Sequence, residues 1–130
     1  MDLFIPEPIQ ELRKLFDDAD GFILSTPEYN SSIPGGLKNT FDWLSRTGGK
    51  TFQEKPVLLM AATPGGRGGQ SVLGHLSAVI PFWGAQLIGP FSLPVFHENF
   101  LGKGLKEPFG SELKSKTKEL EAAILADSDS

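Results

Sequence analysis

Cysteine is absent from the 130 residues of this chain, and its absence excludes several kinds of chemistry. Disulfides, thiolate nucleophiles and zinc or iron–sulfur centres held by cysteine all require the missing side chain. An excess of positive charge is lacking too, because 16 acidic residues outnumber 12 basic ones and the formal net charge is -4. Without a basic stripe to neutralise a phosphate backbone, we expect no nucleic-acid partner.

The chain also lacks a long apolar run. The longest, from Val57 to Ala62, is far shorter than the roughly 20 residues that a membrane-spanning helix needs. Residues 1–6 carry no positive charge, and Pro6 and Pro8 interrupt this segment before the apolar core of a signal peptide is complete. We therefore expect a cytoplasmic protein with no membrane partner.

Apolar residues recur at helical spacing in four segments and form continuous runs in three others. The helical sets are Ile9, Leu12, Leu15 and Phe16; Leu37, Phe41 and Leu44; Val72, Leu76, Val79 and Ile80; and Leu113, Leu120 and Ile124. Residues 21–25 predict a parallel strand covered on both faces, and Pro56–Ala62 predict another strand. Residues 85–96 predict a strand that glycine and prolines make short or bent.

The alternation of these strands and helices predicts an α/β fold, with parallel strands joined by right-handed crossovers. With 39% hydrophobic residues, the chain is long enough for one apolar core and too short for two ordinary domains. We expect a single domain over residues 1–126. The polar residues 127–130 are expected to form a disordered tail.

The loops that follow the two clearest strands are the first candidates for a ligand site, because ligands of open parallel sheets bind beyond the carboxyl ends of the strands. Residues 25–36 combine hydroxyls, an amide, a phenol and a carboxylate. Residues 63–70 place four glycines beside Arg67, so that backbone amides can approach a ligand closely. These glycines match no dinucleotide fingerprint, and Gln70 stands where a triphosphate-binding loop needs lysine. A purely structural glycine loop is the alternative.

Three other side chains have ordinary interpretations. His75 and His97 have no histidine or carboxylate at metal-ligand spacing, so we expect surface or capping histidines and no metal. Glu28 follows a strand, where a carboxylate is more often fixed by backbone hydrogen bonds than used as a general base.

Residues 27–46, with the sequence PEYNSSIPGGLKNTFDWLSR, resemble the signature of the NADPH-dependent FMN reductase family. The resemblance continues through residues 19–21, 55–57 and 68–69 and covers most of residues 8–80. This family includes quinone, chromate and azo-dye reductases. The resemblance implies a flavodoxin-like fold with three layers, α/β/α, around a parallel sheet. It also implies that NADPH or NADH reduces FMN, and that the reduced flavin passes electrons to a quinone-like or other small acceptor.

The resemblance further implies which residues contact the cofactor. One loop would line the isoalloxazine ring and the other would close over its second side, through Pro27, Glu28, Tyr29, Asn30, Ser31, Thr63, Pro64, Gly65 and Gly66. Because the flavin carries the redox chemistry, no catalytic side chain is expected. Arg67 is expected either as a solvated charge or as a contact for a nicotinamide phosphate. The family's assemblies imply a homodimer or homotetramer. Trp43 is expected either in the core or at a subunit interface, and the interface is preferred.

Members of the family begin with a strand and a loop rich in Ser, Arg and Asn that holds the FMN phosphate, and neither precedes Met1. In the flavodoxin-like strand order 2-1-3-4-5, the missing strand would lie beside residues 21–25. We therefore expect a bare sheet edge there, and with it obligate association with another chain or a poorly stable product. A start codon upstream of Met1 is the third possibility. The alternative to an oxidoreductase is a non-catalytic truncated remnant of the family that does not bind FMN.

Overall fold

A computed structural model describes residues 4–128 of the chain. Its elements are α1 (Glu7–Asp18), β1 (Phe22–Ser25), α2 (Gly35–Leu44), β2 (Pro56–Ala62), α3 (Gln70–Val79), β3 (Gln86–Leu93), α4 (Phe96–Asn99) and α5 (Phe109–Ser128). Residues 1–3 of the N-terminal segment, where no signal peptide is expected, lie outside the described residues, as do residues 129 and 130 of the predicted tail. The other two tail residues lie in α5. No helix among residues 4–128 is both long and apolar enough to cross a bilayer.

The three strands form one sheet in the order β1-β2-β3, and both pairs are parallel. The predicted parallel α/β architecture is therefore confirmed. The β2–β3 register shifts between Leu58, which pairs with Ile88, and Met60, which pairs with Phe91. The extra residue on β3 is a bulge at the Gly-Pro pair in its middle. The apolar stretch of residues 85–96 thus supplies one bent strand, as its glycine and prolines indicate.

Strand β2 is the centre of the fold because its two faces contact different helices. Val57, Leu58 and Leu59 each have 0% of their surface exposed. Alternate residues of a strand point to opposite faces. Val57 and Leu59 pack with residues of α1, α2 and α3, whereas Leu58 packs with Leu120 of α5. The sheet between these two helical layers is the predicted three-layer arrangement.

Strand β1 lies at an edge of the sheet and is covered on one face. Phe22 and Leu24 pack against the core shared by α1 and α2, whereas Ile23 is 58% exposed. The prediction of a strand covered on both faces is therefore wrong. Within residues 4–128, β1 pairs with β2 on one side and no strand pairs with its outer edge. Leu15 of α1, which the helical spacing places in the packed stripe, is 66% exposed.

Candidate functional site

Two loops meet beyond the carboxyl ends of β1 and β2 and border a cleft of about 520 Å³. We call residues 26–34 the first loop and residues 63–69 the second loop. The sheet holds both at their starts, since the Thr26 nitrogen donates to the Met60 oxygen and the Thr63 nitrogen donates to the Leu93 oxygen, each at 3.0 Å. A cleft of this volume at this place in a parallel sheet is typical of a small-molecule or cofactor site.

The cleft brings together eight of the nine residues that the resemblance assigned to the flavin. These are Pro27, Glu28, Tyr29, Ser31, Thr63, Pro64, Gly65 and Gly66. The ninth, Asn30, lies outside the lining, at the tip of the first loop. Ala62, Arg67, Gly68 and Gly69 complete the lining.

A tight turn forms the tip of the first loop. The backbone nitrogens of Tyr29 and Ser32 each donate a hydrogen bond to the carbonyl oxygen of the other residue, at 3.1 and 3.0 Å. Asn30 and Ser31 between them have φ angles of 51° and 61°. A type I′ turn requires positive φ at both central positions, and asparagine tolerates it better than most residues. The turn leaves Tyr29 59% exposed beside the cleft.

The Glu28 carboxylate caps α3 from the first loop. Its Oε1 atom accepts a hydrogen bond from the backbone nitrogen of Val72 at 2.8 Å. Val72 is the third residue of α3, and the residue at the N-cap, Gly69, has no side chain to offer. The first N–H groups of a helix have no partner within the helix, and a negative charge near them is favourable. A residue 44 positions earlier in the chain therefore satisfies one of them.

A second side-chain contact joins the first loop to α3. The Oγ atom of Ser32 lies 2.8 Å from Nδ1 of His75. His75 follows Val72 by three residues, so both contacts lie on the same side of the helix. The prediction of a surface histidine holds, but its contact with the loop was missed. No sequence signal connects two polar residues 43 positions apart.

The second loop needs glycine where it enters α3. Gly68 and Gly69 have φ angles of 61° and 76° and are both buried. A Cβ atom on Gly69 would lie 2.9 Å from the Cβ of Ala61, and one on Gly68 would overlap the Ser92 hydroxyl. At Gly65, by contrast, an added Cβ would meet nothing within 4 Å. The loop is thus tight at its end and open where it borders the cleft.

A second cleft of about 560 Å³ adjoins the first, and Gly66 and Arg67 line both. It lies between α3 and β3 and is lined further by Gln70, Leu73, Gly74, Ser77, Pro90 and Ser92. The Arg67 side chain is exposed, and one of its nitrogens lies 3.4 Å from the Ser71 hydroxyl. Its guanidinium group is therefore available to ligands at the border of the two clefts.

The lining of the first cleft suits the ring system of FMN, which is flat and has hydrogen-bonding groups along one edge. Because Gly65 and Gly66 have no side chains, a ligand can approach the backbone of the second loop closely. Tyr29 supplies an aromatic group to the lining. Arg67 carries the only positive charge among the described residues that line this cleft. Among residues 4–128, no group of three acidic or histidine side chains is placed to hold a metal ion.

Comparison with known proteins identifies relatives named as reductases. Quinone reductase of Escherichia coli (strain K12) is 40% identical over 83 residues, which are 64% of this chain and 44% of that protein. NADPH azoreductase of Bacillus sp. (strain OY1-2) is 42% identical over 72 residues, or 55% of this chain and 39% of that protein. The chain therefore spans less than half the length of these curated relatives.

A solved structure and a family model agree with these relatives. FerB, the flavoenzyme NAD(P)H:(acceptor) oxidoreductase from Paracoccus denitrificans, superposes with a TM-score of 0.71 at 25% identity. The superposition covers 92% of this chain and 66% of FerB. The model of the family described as NADPH-dependent FMN reductase matches residues 2–99, a range that includes both loops of the cleft. The chain therefore belongs to the NADPH-dependent FMN reductase family.

Proposed function

We propose that this chain is an FMN-dependent oxidoreductase, which takes electrons from NADPH or NADH and passes them to a quinone-like or other small acceptor. The cleft between the first and second loops carries the proposal, because eight of the nine residues expected to contact the flavin line it together. The family match and the relatives named as quinone reductase and azoreductase support the same chemistry.

Bound FMN would supply the redox chemistry, accepting a hydride from the nicotinamide and passing electrons to the acceptor. The protein's task is to bind and orient the ring. We assign Tyr29 and the backbone of the second loop to contacts with the ring. Glu28 attaches the first loop to α3 through its bond to Val72 and has no proton-transfer role. No catalytic side chain is required.

Arg67 is proposed to contact a phosphate group of the nicotinamide cofactor. It lies at the border of the two clefts, so a dinucleotide in the second cleft would bring its phosphates near this guanidinium group while the nicotinamide reaches the first. Arginine binds phosphate with planar, paired hydrogen bonds.

A homodimer or homotetramer with Trp43 at the interface is the assembly proposed. Trp43 is half-buried on α2 and borders, with Asn39, Asp42 and Arg46, a shallow cavity of about 300 Å³. Tryptophan and arginine are enriched in protein interfaces. We further propose that residues 1–126 act as one domain in the cytoplasm, where the reduced nicotinamide cofactor is supplied.

A remnant that does not bind FMN is the second candidate, and two observations favour it. Among the described residues that line the first cleft, Arg67 is the single cation that could bind the FMN phosphate. The outer edge of β1 is also unpaired within residues 4–128. A protein of this kind would keep the fold of the family without its cofactor.

Titration of the purified chain with FMN, followed by quenching of flavin fluorescence, separates these two candidates. Saturable binding at low micromolar concentration or tighter, about 8 kcal/mol or more, is expected for the oxidoreductase. NADPH oxidation with a quinone is then the next assay. Riboflavin, which lacks the phosphate, is the matched control ligand: similar affinity would mean that the ring alone is held. No binding up to millimolar FMN would refute the oxidoreductase and favour the remnant.

A further inference from the structure

The tip of the first loop has little burial to hold its shape. Tyr29, Asn30 and Ser31 are all exposed. Asn30 and Ser31 have positive φ angles, a conformation that residues other than glycine rarely adopt without support. The turn is closed by only two backbone hydrogen bonds, between Tyr29 and Ser32. Additional contacts are therefore needed to keep Tyr29 and Ser31 at the cleft.

Two side-chain contacts to α3 flank this turn. Glu28, immediately before it, bonds to the Val72 nitrogen at 2.8 Å, and Ser32, at its end, contacts Nδ1 of His75 at 2.8 Å. With one attachment the turn could pivot about it, whereas two attachments on the same side of a rigid helix fix its orientation. His75 and Ser32 do not line the cleft, so their contact would affect a ligand there indirectly, through the neighbouring turn residues Tyr29 and Ser31.

We propose that His75 is a positioning residue, which holds the turn of residues 29–32 in the conformation that lines the cleft. The inference rests on the proposed function in taking the isoalloxazine ring as the ligand that meets this turn. In this role the histidine contributes one hydrogen bond to Ser32 and no contact with the ring.

Amide hydrogen exchange of the protein without flavin, measured by NMR, tests this role directly. The Tyr29 and Ser32 amides form the bonds that close the turn, so His75→Ala is expected to speed their exchange severalfold. Amides of β2 serve as the internal reference and should exchange as in the unmodified chain. His97→Ala, which removes the other histidine, is the matched control and should leave the turn unchanged.

Conservative variants separate hydrogen bonding from general packing. Asparagine can place a donor and an acceptor where Nδ1 lies, whereas glutamine reaches the place of Nε2. His75→Asn is therefore expected to restore slow exchange and His75→Gln to fail. In FMN titrations, His75→Ala and Ser32→Ala should each weaken binding about fivefold, the effect of one lost hydrogen bond. The double variant should be no weaker than either single one, because both remove the same bond.

Different results would overturn the positioning role of His75 and the proposed function. Unchanged exchange at Tyr29 and Ser32 in His75→Ala, or fully additive losses of FMN affinity in the double variant, would overturn the positioning role. Equal restoration by asparagine and glutamine would overturn it too. Failure of the unmodified chain to bind FMN would overturn the proposed function alone, because the exchange measurements need no flavin.

Discussion

The Oε1 atom of Glu28 and the backbone nitrogen of Val72 lie 2.8 Å apart, so a side chain of the first loop caps the helix that follows the second loop. This bond makes the geometry of one loop depend on the other. It also means that the Glu28 carboxylate, which is part of the family signature, stabilises the fold before any ligand binds. Stability and ligand affinity are therefore expected to change together at Glu28.

Replacing Glu28 tests this coupling. Glu28→Ala is expected to lower the free energy of unfolding by about 1–2 kcal/mol, because a helix N–H loses its partner. Glu28→Gln should lose less, since the amide oxygen still accepts the bond while the favourable charge at the helix N-terminus disappears. Urea unfolding measures both. Glu11→Ala, at an exposed site on α1, is the control and should change stability by less than about 0.5 kcal/mol. Equal losses at Glu28 and Glu11 would contradict the cap.

Alanine substitutions at two glycines of the second loop are expected to have different effects, one on the stability of the fold and the other on FMN binding. Gly69→Ala forces a side chain into a position with φ of 76° and 2.9 Å from the Ala61 Cβ, so it should cost roughly 2 kcal/mol or more of stability. Gly65→Ala adds a methyl group in open space at the cleft, so the unfolding midpoint should hardly move. Titration with FMN should nevertheless show weaker binding by Gly65→Ala than by the unmodified chain. If Gly65→Ala binds FMN normally, the ring does not approach the second loop at Gly65.

Arg67→Gln tests the proposed phosphate contact. Removing the charge is expected to raise the KM for NADPH about tenfold and to leave kcat nearly unchanged, because the lost interaction is made equally in the ground and transition states. The KM for NADH, which has one phosphate fewer, should rise less. Arg67→Lys is the matched variant. Its KM for NADPH should lie between those of the unmodified chain and Arg67→Gln, because lysine keeps the charge but not the planar pair of donors. Equal effects on both cofactors would show that the extra phosphate binds elsewhere.

Much of the fold was predictable because local patterns determine it. The continuous apolar run of Pro56–Ala62 predicts β2 with its observed bounds, since a strand buried on both faces needs apolar residues at every position. Exposure at Leu15 and Ile23 was not predictable in this way. Both residues have the apolar pattern of a covered position, and whether a neighbour covers them depends on which elements the chain places beside them.

The candidate site was also predictable only in part. The meeting of the two loops follows from parallel strands that end at one edge of a sheet, so the lining was predictable from the strands and the family signature. The bond from Glu28 to Val72 was only half predictable, because the carboxylate was expected to bind backbone but the partner was unknown. The contact between Ser32 and His75 was not, since a pair of polar residues far apart in the chain leaves no periodic pattern.

The bare edge of β1 yields a prediction about association. Ile23 is 58% exposed on a strand whose outer N–H and C=O groups have no strand partner within residues 4–128, an arrangement that favours pairing with another chain. Ile23→Lys places a charge on that edge and should reduce concentration-dependent association in sedimentation velocity. Because this side chain already faces solvent, the free energy of unfolding should change by less than about 0.5 kcal/mol.

The matched control for the edge is Leu101→Lys, which places the same charge at a side chain that is 62% exposed outside the sheet. If association falls equally in both variants, general surface charge is the cause and the edge of β1 is not involved. If the unmodified chain is a well-folded monomer at every concentration, the edge does not pair at all. Association that persists in Ile23→Lys but is lost in Trp43→Ala would instead locate the subunit contact on α2, as expected for the proposed dimer interface.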